Sequence, residues 1–368
     1  MDKNQELGKI ISQLINKGDL SEEQSYQAFC MVLNNEVTDM QQGAFLAALT
    51  AKGESAAEVA GGWRAIYEHD TTKARLSCAD QVVDNCGTGM DSFKTFNIST
   101  AASIIAAAGG VKVARHGARA ITSACGTVDM AECLGVDVEC GVEVVARSIE
   151  QTGLGLFNGM SSQVHPLALG RILSQISFGS PLNIAASLAN PALPRYGVRG
   201  VYSRELLIPV AQVMDSIGYL DAMIIYGTID GSDKGMDEAS VCGTTYGVRL
   251  HAGTLKEFSF TPEDCGLAQH PPEALAPEPD RQEAARQMLA LLAGKVYGAR
   301  RDAILLNSAC IFQLRGLADT IQAGVALAES ILASGRALEL LERWVGSQNS
   351  DPDSALQRFD QLKREVLV

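Results

Sequence analysis

Asp84-Asn85-Cys86-Gly87-Thr88-Gly89-Met90-Asp91-Ser92-Phe93-Lys94-Thr95-Phe96-Asn97-Ile98-Ser99-Thr100 reads as a strand end, a glycine turn and a helix start. The run Gln81-Val82-Val83 before it suits a buried strand. Gly87 and Gly89 let the backbone turn tightly and bring bare N–H groups to a ligand. Ser99 and Thr100 are expected to cap a helix running through Ala101–Ala108. A strand, a glycine loop and a helix N-terminus make an anion site, most often for phosphate. The hydroxyls of Thr88, Thr95, Ser99 and Thr100 add donors. A Gly-x-Gly turn taken alone, however, often binds nothing in α/β proteins. The stretch is not a Walker loop, because no Gly-Lys-Ser/Thr follows, and it lacks the third glycine of the dinucleotide fingerprint.

Downstream of this loop, strand-like and helix-like runs alternate, the signature of a mostly parallel sheet flanked by helices. Val111–Ala114, Leu154–Phe157, Gly200–Tyr202 and Ala222–Tyr226 are the strand candidates, with helices over Val142–Gln151 and Glu205–Ile217. Val248–Leu250 and Phe258–Phe260 flank Ala252-Gly253 like a hairpin. Helices return at Ala284–Leu292, Ala303–Leu314 and Ile321–Leu332. Upstream, Leu7, Ile10, Ile11, Leu14 and Ile15 recur at helical spacing, and Ser21, Thr38 and Ser55 open three further helices. The expected fold class is α/β: a small N-terminal helical bundle over residues 1–70 and a larger α/β domain over 71–368, with the active site in the cleft between them. A later segment near 165–185 is expected to pack on the bundle.

The 368 residues suffice for one large or two modest domains. A net charge of −13 without a basic run argues against nucleic acid or an anionic membrane as partner. Nine scattered cysteines without a Cys-x-x-Cys read as reduced thiols, and with the polar N-terminus they set the expectation of a cytoplasmic protein.

Two further constellations carry chemistry. Arg115-His116-Gly117-Ala118-Arg119-Ala120-Ile121-Thr122-Ser123 begins at a strand end, where open α/β sheets place ligands, and its Arg and hydroxyl content suits a polyanion or a plain solvated loop about equally. Asp237-Glu238 in Gly235–Ser240 offers hard oxygen ligands to Mg²⁺. On spacing alone an exposed acidic pair at a helix start is the preferred reading.

The first stretch resembles the diphosphoribosyl loop of anthranilate phosphoribosyltransferases, Gly-Thr-Gly-Gly-Asp followed by Phe-Asn-Ile-Ser-Thr, with Met90 where the family has a glycine. Arg115–Arg119 is similar to the family's Lys-His-Gly-Asn-Arg, and Gly235–Glu238 to its Gly-x-Asp-Glu metal motif, which reverses the reading of that acidic pair. Asn190-Pro191, Gly200–Ser203, Thr261–Leu267 and Arg300–Asn307 extend the resemblance over essentially the whole chain.

The resemblance implies Mg²⁺-dependent transfer of phosphoribosyl from phosphoribosyl diphosphate to an aromatic amine, with anthranilate as the default acceptor and tryptophan synthesis as pathway. It implies a homodimer formed through the helical domain. Gly87, Thr88, Gly89, Asp91, Thr95, Asn97, Ser99, Thr100, Arg115 and Ser123 would hold the diphosphate ester. Asp237, Glu238 and Ser99 would hold Mg²⁺, two ions in all. No covalent nucleophile is required. The acceptor would meet His116, Ala118, Gly179, Asn183 and Arg171. Two of these depart from the family pattern: Ala118 stands for an Asn and Gly179 for an Arg, the carboxylate-binding pair. The alternative is therefore the same chemistry on a different acceptor. A nucleoside phosphorylase is disfavoured by the retained Asp237-Glu238 pair, and a nucleic-acid-binding relative by the acidic charge.

Overall fold

The computed structural model describes residues 2–89, 91–120, 125–176 and 178–367. The chain opens with α1 (Lys3–Ile15), α2 (Glu22–Leu33), α3 (Asp39–Lys52) and α4 (Ala56–Asp70). Ser21 and Ser55 each form a capping box with Gln24 and Glu58, and Thr38 caps α3. Next come β1 (Val82–Gly87), α5 (Ile98–Ala108), β2 (Lys112–Gly117), α6 (Thr127–Cys133), α7 (Val142–Thr152) and β3 (Leu154–Asn158). They are followed by α8 (Leu169–Leu173), α9 (Leu182–Leu188), β4 (Tyr196–Gly200), α10 (Leu207–Ser216) and β5 (Asp221–Thr228). The short β6 (Gly235–Met236) and the hairpin β7 (Thr245–His251) and β8 (Thr254–Phe260) complete the sheet. Helices α11 (Arg281–Leu292), α12 (Ala299–Leu314), α13 (Ile321–Ala333), α14 (Arg336–Ser347) and α15 (Pro352–Leu367) finish the chain.

The sheet runs β3-β2-β1-β4-β5-β7-β8, with β6 paired to β5. The five strands from β3 to β5 are parallel; β6, β7 and β8 add antiparallel pairs. The β7–β8 turn is Ala252-Gly253, both at positive φ (47° and 78°), as a two-residue hairpin of matching twist requires. Alternation along the strands sends Val83, Val113, Leu156, Val198 and Met223 to a core with α5 and the C-terminal helices. Ala222, Ile224, Val248 and Leu250 face the other way, into a core shared with α1–α4, α9 and α10.

Strand β4 ends at Gly200, earlier than expected. The Asp237 backbone lies against the α-carbon of Gly200, and beyond it only the Val201 N–H still reaches the sheet, donating to the Ile225 carbonyl at 3.0 Å. Ser99 and Thr100 are not caps either. Helix α5 starts at Ile98 with Asn97 as N-cap and without a side-chain cap bond, which leaves both hydroxyls inside the first turn for other partners.

Segment α8–α9 is fastened to the bundle. The buried Asp70 carboxylate accepts from the N–H groups of Leu167, Ala168 and Leu169 at 2.6–3.0 Å, and Trp63 Nε1 donates to the Leu188 carbonyl at 2.9 Å. Asp70→Ala would strand three amides at the start of α8 and is expected to lower stability by about 2 kcal/mol in urea denaturation. No helix among the described residues is long and apolar enough to cross a membrane.

Candidate active site

The strand order reverses between β1 and β4, the place where open α/β sheets leave a crevice at their carboxyl ends. Gly87 and Gly200 are register partners at those two ends. The Asp237-Glu238 segment rests on both. A Cβ on Gly87 would lie 2.0 Å from Asp237 Oδ2, and one on Gly200 would lie 1.6 Å from the Asp237 carbonyl oxygen. Gly87 therefore serves close approach rather than turning. The φ of +67° that the turn needs is at Gly89.

Across 148 positions of sequence, Gly89 N–H donates to Asp237 Oδ2 at 2.7 Å, which joins the glycine loop to the acidic pair. Asn307 fixes the next peptide: its Oδ1 accepts from Ala239 N–H at 2.9 Å and its Nδ2 donates to the Ala239 carbonyl at 3.0 Å. Ser99 Oγ lies 3.5 Å from Glu238 Oε1, and Glu238 Oε2 is buried without a hydrogen-bond partner. Asp91 completes a cluster of three carboxylates. Burial and then the Asp237 charge push Asp91 up to about 6, and burial with Asp237 and Asp91 raises Glu238 well above the carboxylate range. Lys94 Nζ, 2.9 Å from Asp91, is the cation of the loop.

Among the described residues no three His, Cys, Asp or Glu side chains form a ready metal cage. Mg²⁺ takes one or two carboxylates and leaves its other positions to water and substrate phosphates. The orphaned Glu238 oxygen and the clustered negative charge fit such an ion.

Other expected ester contacts divide. Thr88 N–H is bonded to the Gly200 carbonyl, Asn97 Nδ2 to the Cys125 carbonyl at 3.2 Å, and Thr95 borders a small void of about 20 Å³ beneath the loop. Thr100 Oγ1 accepts from Arg115 Nη1 at 2.6 Å. Arg115 bonds within the protein. It is 3 % exposed, with Nε donating to the Asn85 carbonyl at 3.0 Å, and so braces β1 against α5 from beneath the cleft. The guanidinium is buried, and the Asn85 carbonyl and the Thr100 and Thr127 hydroxyls supply its partners. Arg115→Ala is expected to lower stability by about 2–4 kcal/mol in chemical denaturation, since it orphans a buried carbonyl and hydroxyl. Ser123 and Met90 lie outside the described residues.

The acceptor candidates separate in the same way. Gly179 and Asn183 line a cavity of about 390 Å³ bounded by the α3–α4 turn, the start of α9 and the stretch from Tyr202 into α10. Arg171 does not reach it: Nη1 donates to Gln42 Oε1 and Nη2 to the Val32 carbonyl, so the guanidinium satisfies bundle oxygens. His116 is buried at the end of β2, its Nδ1 3.2 Å from the Ser187 carbonyl and its Nε2 3.2 Å from His165 Nε2. Burial, then the neighbouring imidazole, holds His116 down to about 3, so it carries no charge for a carboxylate near neutral pH. Ala118 is exposed beyond β2. Glu54 and Tyr202, both on the cavity wall, and Lys94 were not singled out from sequence. Lys94 stood inside the quoted stretch, whereas Glu54 and Tyr202 meet only through tertiary packing.

The helical bundle domain of the glycosyl transferase family matches residues 8–70, and the a/b domain of that family matches residues 79–338. Anthranilate phosphoribosyltransferase of Rubrobacter xylanophilus is 36% identical over 329 residues, covering 89% of this chain and 93% of its own. That of Methanothermobacter thermautotrophicus is 33% identical, covering 92% and 97%. The crystal structure of the Thermus thermophilus enzyme superposes with a TM-score of 0.82 at 33% identity, over 92% of this chain and 98% of that one. The Saccharomyces cerevisiae enzyme in complex with PRPP and Mg gives 0.82 at 26% identity, over 94% and 98%. With a helical bundle domain followed by an a/b domain, and with relatives 33–36% identical over about nine-tenths of its length, the chain belongs to the anthranilate phosphoribosyltransferase family and is a transferase of the phosphoribosyl class.

Proposed function

We propose that the protein transfers the phosphoribosyl group of phosphoribosyl diphosphate to the nitrogen of a small aromatic amine, with Mg²⁺ as cofactor. The observation that carries this is the Gly89–Asp237 hydrogen bond, which sets a carboxylate pair against a glycine loop at the strand-order reversal. As the bond to diphosphate breaks, positive charge grows on the ribose and negative charge on the leaving group. The uncapped start of α5 and Lys94 offer donors and positive charge to the diphosphate. Asp237, Glu238 and Ser99 would hold the metal, which when bound offsets the leaving group's charge. Arg115 acts through Thr100 and Asn85 by keeping β1 and α5 in register. The acceptor, held in the cavity beside Tyr202, attacks from the bundle side.

The proposal includes the division into a helical domain, 1–70, and an α/β domain, 71–368. It includes a homodimer, for which the exposed Ile15 and Met40 on α1 and α3 provide apolar surface. The free cysteines fit a reducing compartment, and the acidic charge fits a small-molecule substrate rather than nucleic acid.

Anthranilate is the acceptor in the relatives' names. A second reading, another acceptor for the same reaction, is favoured by Gly179 on the cavity wall and by the uncharged His116. Mass spectrometry of products formed from phosphoribosyl diphosphate, Mg²⁺ and a panel of aromatic amines is expected to show one N-phosphoribosyl adduct and free diphosphate. Absence of any adduct would contradict the proposal.

A further inference from the structure

The cavity between the bundle, α9 and α10 is lined without a single basic side chain. None of the eight residues outside the described set is Lys, Arg or His either. Its charged group is Glu54, in the α3–α4 turn. Opposite stand Tyr202, Ser180 and Asn183, with Val59 and Ile184 among the apolar walls. Burial and then the Glu54 carboxylate raise the Tyr202 hydroxyl above its ordinary range, which agrees with their shared position. Ser180 is 7 % exposed, and its Oγ has no hydrogen-bond partner, an orphaned polar atom on the wall. Lys52 is paired with Asp19 and Glu58, Arg171 with Gln42 and Val32, and Arg204 lies over the Tyr246 ring.

The cavity adjoins the reaction centre. Tyr202 follows Gly200 by two residues, a span of at most about 7 Å, and Gly200 touches Asp237. Its volume is that of a pocket for a small ring compound. A carboxylate brought into it would lose water, find no cation and face Glu54. An amine, amide or ring N–H would instead gain acceptors.

We propose that the acceptor is an aromatic or heteroaromatic amine without an acidic substituent, with its donor groups turned to Glu54 and Ser180. This rests on phosphoribosyl transfer as the reaction. The acceptor nitrogen's lone pair forms the bond to the anomeric carbon. The bond from that carbon to the diphosphate oxygen breaks, with its electron pair leaving on diphosphate, and the nitrogen's proton passes to solvent.

Anthranilate and anthranilamide differ in this one group and serve as probes. With the full-length protein, phosphoribosyl diphosphate and Mg²⁺, diphosphate release is expected to show kcat/KM for anthranilamide at least about tenfold above that for anthranilate. Glu54→Gln is expected to narrow the ratio at least about fivefold by raising the anthranilate value, and Gly179→Arg is expected to move it the same way. Anthranilate equal to or better than its amide, a ratio untouched by both substitutions, or consumption of neither probe by an enzyme that binds the diphosphate ester would each overturn the assignment. Calorimetry of the ester with Mg²⁺ separates the two levels: absence of ester binding overturns phosphoribosyl transfer itself.

Discussion

Asp237→Asn and Glu238→Gln are each expected to lower turnover at least about a thousandfold, roughly 4 kcal/mol in the barrier, with no loss of thermal stability. Two observations lead there. Asp237 meets the glycine loop at Gly89 and Glu238 lies beside Ser99, where a metal-bound diphosphate would sit, so neutralising either removes a ligand. The same carboxylates cluster with Asp91, and burial followed by their mutual repulsion raises the pKa of Asp91 and of Glu238. Removing one charge relieves repulsion in the metal-free protein. Steady-state diphosphate release and thermal melting without added metal check both halves. A variant that melts well below the parent would mark the pair as part of the scaffold instead.

Gly87→Ala and Gly200→Ala carry the second large effect. Each new methyl would fall 2.0 Å or less from an Asp237 atom, closer than real Cβ atoms come. The loop must move, and its anchor at Ala239–Asn307 resists the motion. Both substitutions are expected to reduce ester binding at least about tenfold and to cost about 1–3 kcal/mol of stability from overpacking. Gly43→Ala is the control. It sits inside α3 with nothing within 4 Å of an added methyl, and is expected to stabilise by about 0.5–1 kcal/mol. Equal behaviour of all three would show that the close approach to Asp237 has no functional weight.

Much of the fold was legible because local signals agreed with the tertiary outcome. Ser21 with Gln24, Thr38 and Ser55 with Glu58 mark helix starts through short-range hydrogen bonds that need no distant partner. β1, β2, β3 and β5 announced themselves through short apolar runs, since both faces are buried, whereas β4, Tyr196-Gly197-Val198-Arg199-Gly200, has no such run and was expected four residues too late. Distant segments decide the rest. Ser99 and Thr100 look like caps by residue type, yet Glu238 and Arg115 claim their hydroxyls. Arg115 and Arg171 look like ligand cations, yet carbonyl and amide oxygens brought by folding absorb their donors. The acidic pair read as a solvated helix start until the resemblance was considered, and the contact with Gly89 joins segments 148 positions apart. Glu54 and Tyr202 had no sequence signal that linked them.

The account stands on one arrangement, the acidic pair held against the glycine loop as a metal-dependent diphosphate site. Calorimetric titration of phosphoribosyl diphosphate into the protein, with Mg²⁺ and with a chelator, tests it most directly. The account predicts binding that depends on Mg²⁺ and is lost in Glu238→Gln and Gly87→Ala, while Asp70→Ala, altered where the bundle holds the start of α8, retains it. Binding of equal strength without Mg²⁺, or binding undiminished in Glu238→Gln, would contradict it.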